Sequence, residues 1–112
     1  MIYPGSYPIT IYRKSTFDMV VRFKAGGVLL DLNGYVVVAQ LWDAKGEYVV
    51  DSFQISYNPD LTTGEVTLML NALQTEALTA GGLYDVKLIE PDGAEYYWLR
   101  GRYAVKQGLS DI

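Results

Sequence analysis

The sequence predicts an all-β fold, an antiparallel immunoglobulin-like β-sandwich of about seven strands with one short helical connector, and three observations carry that expectation. Apolar and polar residues alternate with period two along most of the chain, the pattern of strands that bury one face. The interruptions are turn-formers: "AGG", "DLNG", "DAKGE", "NPDLTTG" and "EPDGA". Only "NALQTEALTAGG", residues 71–82, reads as helix, and it is too short to be more than a connector. A small β-barrel is the alternative closure of the same strands.

Residues 1–8 form an expected N-terminal arm in which Tyr-Pro occurs twice. Proline keeps such a segment extended, so Tyr3 and Tyr7 would lose little entropy on clasping a neighbour; a disordered tail is the other reading. A single sandwich domain is expected over 9–106, with a tail at 107–112. Its first strand is Ile9 to Arg13. In Thr16 to Lys24, Phe17, Met19, Val21 and Phe23 share one face. Val28 to Leu30 is a short apolar link. Tyr35 to Trp42 is apolar on both faces in its first half, and Tyr48 to Ser56 alternates less cleanly. Glu65 to Asn71 returns to strict alternation through Val66, Leu68 and Leu70. In the connector Asn71 can cap the first turn, Gln74 stands three residues on, and Gly81 can end it.

Leu83 to Ile89 and Glu95 to Val105 close the chain as a hairpin around "EPDGA". A two-residue Asp92-Gly93 turn, or a four-residue loop, sets Leu88 opposite Tyr97, Val86 opposite Leu99 and Tyr84 opposite Gly101, an apolar face with an aromatic over a glycine. The opposite face then pairs Ile89 with Tyr96, Lys87 with Trp98 as a cation–π contact, and Asp85 with Arg100 as an ion pair. A three-residue loop with a bulge, which "PDG" also suits, slips the register by one and mixes charge into the core. The hydrophobic pattern favours the first register. The core then takes Tyr84, Val86, Leu88, Tyr97, Leu99, Tyr103 and Val105, and Tyr96, Trp98, Arg100 and Arg102 point away from it.

Composition narrows the chemistry. The 112 residues suffice for one modest core, and half of them are hydrophobic. The net charge of −4 argues against a nucleic-acid partner, since phosphate binding rests on Lys and Arg. No apolar run is long enough to cross a bilayer, and the N-terminus lacks a signal peptide's apolar core, so the expectation is synthesis in the cytoplasm without a membrane partner. Without cysteine or histidine the chain has no thiolate nucleophile, no thiolate metal site and no imidazole base or ligand. Neither catalytic residues nor a cofactor or metal site are expected. The aspartates fall mostly in turns, where they bond local backbone; "DLNG" opens like a calcium loop, but the later ligands are missing.

Surface remains. Val36, Val38 and Trp42 share one face of their strand, and Tyr35, Val37, Ala39 and Leu41 share the other. Both faces therefore read as buried, one in the core and one against something else. With Tyr96, Trp98, Arg100 and Arg102, and with Tyr3 and Tyr7 of the arm, this makes a candidate protein interface rich in Trp, Tyr and Arg. Either a partner covers it, or the chain's own N-terminal residues or connector do.

Several stretches, "IYRKSTFDMVVRF", "LDLNGYVVVAQLWD", "TTGEVTLML" followed by "LQTEAL", "GLYDVKLIEPDG" and "WLRGRYAV", resemble in order and spacing small structural proteins of tailed bacteriophages. They are similar to the N-terminal domain of baseplate upper proteins, over about residues 11–105. At Lys14-Ser15 the chain departs from a pattern that has Gly-Asp. The resemblance implies an immunoglobulin-like sandwich in the virion, without catalytic residues or cofactor, serving as a tail, baseplate or fibre adaptor in contact with other virion proteins and present in several copies. Capsid decoration is the alternative. A carboxylate-dependent glycan hydrolase is the enzymatic one, and it needs two inward carboxylates about 5–10 Å apart in a cleft.

Overall fold

The computed structural model describes residues 5–107, so Tyr3 of the candidate interface lies outside the described residues. In chain order the strands are β1 (Gly5–Ser6), β2 (Ile9–Tyr12), β3 (Phe17–Arg22), β4 (Lys24–Ala25), β5 (Val28–Leu29), β6 (Val36–Trp42), β7 (Val49–Ser52), β8 (Gln54–Tyr57), β9 (Glu65–Leu70), β10 (Gly82–Ile89) and β11 (Glu95–Lys106). Helix α1 (Ala72–Glu76) joins β9 to β10, and Leu61–Thr63 forms a 3-10 turn. The larger sheet runs β1-β11-β10-β6-β7, with β2 following β1 along the same edge of β11; the smaller runs β3-β9-β8. The expected all-β sandwich is the fold of the chain.

The alternation read from the sequence is what closes the two sheets over one core. Val21 of β3, Val66, Leu68 and Leu70 of β9, Val37, Ala39 and Leu41 of β6, and Tyr84, Val86 and Leu88 of β10 are all buried and form one cluster. Burial of this apolar surface is the main stabilising contribution to the fold. Tyr84 carries a polar end into the core, and its hydroxyl donates to the Tyr7 carbonyl. Burial, then the neighbouring Tyr7, raises the Tyr84 phenol to about 12.

Three expectations change. The sandwich begins inside the expected arm, because Gly5–Ser6 already pair in parallel with Leu99 and Arg100 of β11. Tyr48 to Ser56 is not one strand but two in different sheets: β7 pairs with β6, and β8 pairs with β9. Phe53, between them, turns into the core against Phe17 and Tyr84, and its N–H donates to the Ala39 carbonyl at 2.9 Å. That buried ring breaks the alternation. Finally, α1 starts with the expected Asn71 capping box but ends at Ala77, before Gly81. Thr75 holds it: its hydroxyl donates to the Ser15 carbonyl at 2.8 Å and accepts from the Ser15 N–H at 3.1 Å. In the turn before β3, Lys14 takes the left-handed conformation at φ 61°, which favours glycine.

The C-terminal hairpin departs most from expectation. Its loop is the three-residue kind, with Glu90 and Ala94 closing Pro91-Asp92-Gly93 and Gly93 at φ 92°. Near the loop Ile89 pairs with Glu95, Leu88 with Tyr96 and Lys87 with Tyr97; beyond it Val86 pairs with Leu99, Asp85 with Arg100 and Tyr84 with Gly101. Both registers weighed in the sequence therefore occur, one in each half. A β-bulge separates them, and Trp98 is the extra residue. On the loop side the inward positions of β11 are 96 and 98; on the far side they are 99, 101, 103 and 105.

Candidate interaction surface

The bulge decides which aromatics reach which face. Trp98, expected outside, is partly buried against the core with its ring 5.1 Å from Phe23. Tyr96, also expected outside, stands opposite the buried Leu88 on the inner face. Tyr97, expected in the core, is 51% exposed on the outer face. The cation–π partner of Lys87 is therefore Tyr97, with Nζ 5.3 Å from the ring centre, and not Trp98. Lys87 also pairs with Glu95 at 2.9 Å, which is the main cause of its raised pKa.

Val36, Val38, Trp42, Arg100 and Arg102 do come together on the outer face of the larger sheet. Register builds it in rows: Val36 beside Ile89 and Glu95, Val38 beside Lys87 and Tyr97, Gln40 beside Asp85 and Arg100, Trp42 beside Leu83 and Arg102. Val36 is half exposed, and Tyr7 is exposed on the neighbouring edge. The N–H of Tyr7 donates weakly to the Arg100 carbonyl at 3.4 Å, and its own carbonyl lies over Gly101. A Cβ at Gly101 would overlap that carbonyl, so the glycine lets the N-terminal strand cross at this point.

One end of this face is a groove of about 850 Å³, with Trp42, Leu83, Asp85, Tyr97, Arg100 and Arg102 around it, Gly46 on one rim and Pro8 on the other. The Gly46 rim is set by Asp43, whose carboxylate accepts from the N–H groups of Glu47 at 2.7 Å and Tyr48 at 3.1 Å. Those bonds, the Tyr48 one foremost, hold the Asp43 carboxyl below its ordinary range. The expected ion pair between Asp85 and Arg100 does not form, although the two residues are cross-strand neighbours. The described ion pairs include Arg22 with Glu65 and Lys87 with Glu95, and neither Arg100 nor Arg102 has an ion-pair partner among the described residues. Burial raises the Asp85 carboxyl, and the Trp42 indole N–H beside it works in the opposite direction. That indole nitrogen is buried without completing a hydrogen bond.

Asp85, Leu83 and Tyr97 were not among the expected interface residues. Strand parity places the first two on this face, whereas Tyr97 becomes visible only through the three-residue loop. The turn aspartates behave as expected: Asp31, Asp60 and Asp92 each accept from a backbone N–H two residues on. Among the described residues no cluster of three or more acidic side chains is placed to hold a metal ion, and no helix is long and apolar enough to cross a membrane.

No family model matches the sequence, and no curated protein matches it. Solved structures do match in fold. CopC from Methylosinus trichosporium OB3b superposes with a TM-score of 0.54 at 15% identity, covering 96% of this chain and 90% of that one. The GspB Siglec domain gives 0.60 at 13% identity over 95% of this chain, which spans 56% of the GspB chain. At these identities the likeness defines a β-sandwich and extends no further.

Proposed function

We propose that this chain is a non-enzymatic structural protein of a tailed-bacteriophage particle, an adaptor at the tail, baseplate or fibre that acts through contacts with other virion proteins. The observation that carries the reading is the outer face of the larger sheet. Val36, Val38, Trp42, Leu83 and Tyr97 lie there beside two arginines without ion-pair partners among the described residues, and Trp, Tyr and Arg are the types that dominate protein interfaces. The ordered set of phage-like motifs in the sequence supports the same class. Among the described residues a single carboxylate, Asp85, lines the groove, which favours the structural reading over a hydrolase working with two.

Copy number tests the proposal. Quantitative mass spectrometry of purified particles should find tens of copies or fewer, as an adaptor of a symmetric tail assembly requires. Hundreds of copies would assign the chain to capsid decoration instead, and absence from particles would overturn the virion role altogether.

A further inference from the structure

Arg100 and Arg102 stand two residues apart on one face of β11, exposed and without ion-pair partners among the described residues, in a chain whose net charge is −4. Alternate residues of a strand are about 6.6–6.8 Å apart, and an extended peptide spaces its own alternate side chains by the same distance. Guanidinium groups bind carboxylates in a planar two-bond geometry that lysine cannot reproduce. Next along the same face of β11, past the bulge, comes Tyr97, while Trp42 and Leu83 form the adjoining wall. The groove thus offers two guanidiniums, with the half-buried Asp85 carboxyl across from Arg100, followed by the Tyr97 ring, whose cation–π partner Lys87 adds a further positive charge.

We propose that this groove takes an extended acidic segment of a partner protein, with carboxylates at alternate positions on Arg100 and Arg102 and an apolar side chain two positions further against Tyr97. The inference rests on the adaptor reading and names the chemistry of its partner. Charge complementarity selects the segment: an acidic strand meets the unpaired guanidiniums, whereas a second copy of this acidic chain adds net repulsion. Trp42 and Leu83 stand in the Arg102 row, so the carboxylate contact at Arg102 gains most from their apolar surface.

The probe is the acetylated, amidated pentapeptide Leu-Ser-Glu-Ser-Glu, titrated into the isotope-labelled protein and followed by amide and indole NMR signals. Shifts should map to β11, β10 and the Trp42 indole and weaken with added salt. Replacing both glutamates of the peptide by glutamine, or making Arg100→Ala with Arg102→Ala, should weaken binding at least about tenfold while the protein's thermal unfolding stays in place. Equal binding of the glutamine peptide, or no shift at millimolar peptide, overturns the proposal. So does glucuronate shifting the same signals where the peptide does not, an outcome that would make the groove a site for acidic saccharide. Copy number in particles judges the adaptor reading separately. Charge-dependent peptide binding with hundreds of copies removes the adaptor and keeps the groove, and charge-indifferent binding with few copies does the reverse.

Discussion

The two faces of the larger sheet use the same strands and almost the same hydrophobicity, yet they do different work. Inward, Val37, Ala39, Leu41, Tyr84, Val86 and Leu88 meet the smaller sheet and are nearly inaccessible. Outward, Val36, Val38, Leu83, Ile89 and Tyr97 have charges set between them, and nothing in the described chain covers the groove among them. Apolar residues therefore do not by themselves distinguish core from contact surface in this protein. Across β6, β10 and β11 charge does: Asp85, Lys87, Arg100 and Arg102 all lie on the outer side, and the inner-side carboxylate of the edge strand β7, Asp51 opposite Leu41, accepts from the Gln74 side-chain amide.

The largest effect should come from the inner face. Leu41→Ala leaves a cavity beneath both sheets and should cost about 2–5 kcal/mol in denaturant unfolding. A cost below about 1 kcal/mol would place Leu41 at a surface and undo the assignment of faces. The bulge gives the sharper contrast. Trp98→Ala should lose about 2–3 kcal/mol, somewhat less than a fully buried ring, whereas Tyr97→Ala should lose less than about 1 kcal/mol. The reverse order would mean that the two aromatics have exchanged faces. Gly101→Ala should cost about 1–3 kcal/mol by driving a methyl group into the Tyr7 carbonyl. Hydrogen exchange should then show β1 released while β10 stays protected.

Smaller effects test the outer face. Burial lets folded Asp85 keep its proton to a higher pH than the unfolded chain does, so stability falls as pH rises from the ordinary carboxylate range through the raised value. Asp85→Asn removes that penalty. The variant should unfold at a higher denaturant concentration than the parent at neutral pH, with the gap closing in acid below the ordinary carboxylate range. A gap that widens in acid would show the carboxylate to be held by a partner. The smallest effect belongs to Arg100→Ala with Arg102→Ala, which should change stability by no more than about 0.5 kcal/mol because neither side chain has an ion pair to lose among the described residues.

Much of the fold was legible in local pattern. Val66, Leu68 and Leu70 alternate with polar neighbours and are buried as expected, and Asn71 with Gln74 makes the capping box. What misled was phase. The pattern of β11 reads as continuous alternation in either register, and a bulge that adds one residue reverses the facing of every position between it and the loop. Tyr96, Tyr97 and Trp98 were all misplaced for that single reason. Phe53 misled similarly, since a residue that passes the chain from one sheet to the other looks like a flaw in a longer strand.

By itself the sequence determined the class of fold, most of the strands and of the core, and the absence of cysteine and histidine chemistry, because those follow from composition and from a period that each strand carries internally. Only the tertiary structure decided where β11 changes phase, which aromatics face outward, and that Arg100 and Arg102 have no ion-pair partner among the described residues beside a half-buried Asp85. These outcomes depend on contacts between distant segments. Trp98 enters the core because Phe23 offers it a place there, and no local preference of residues 95–103 contains that information.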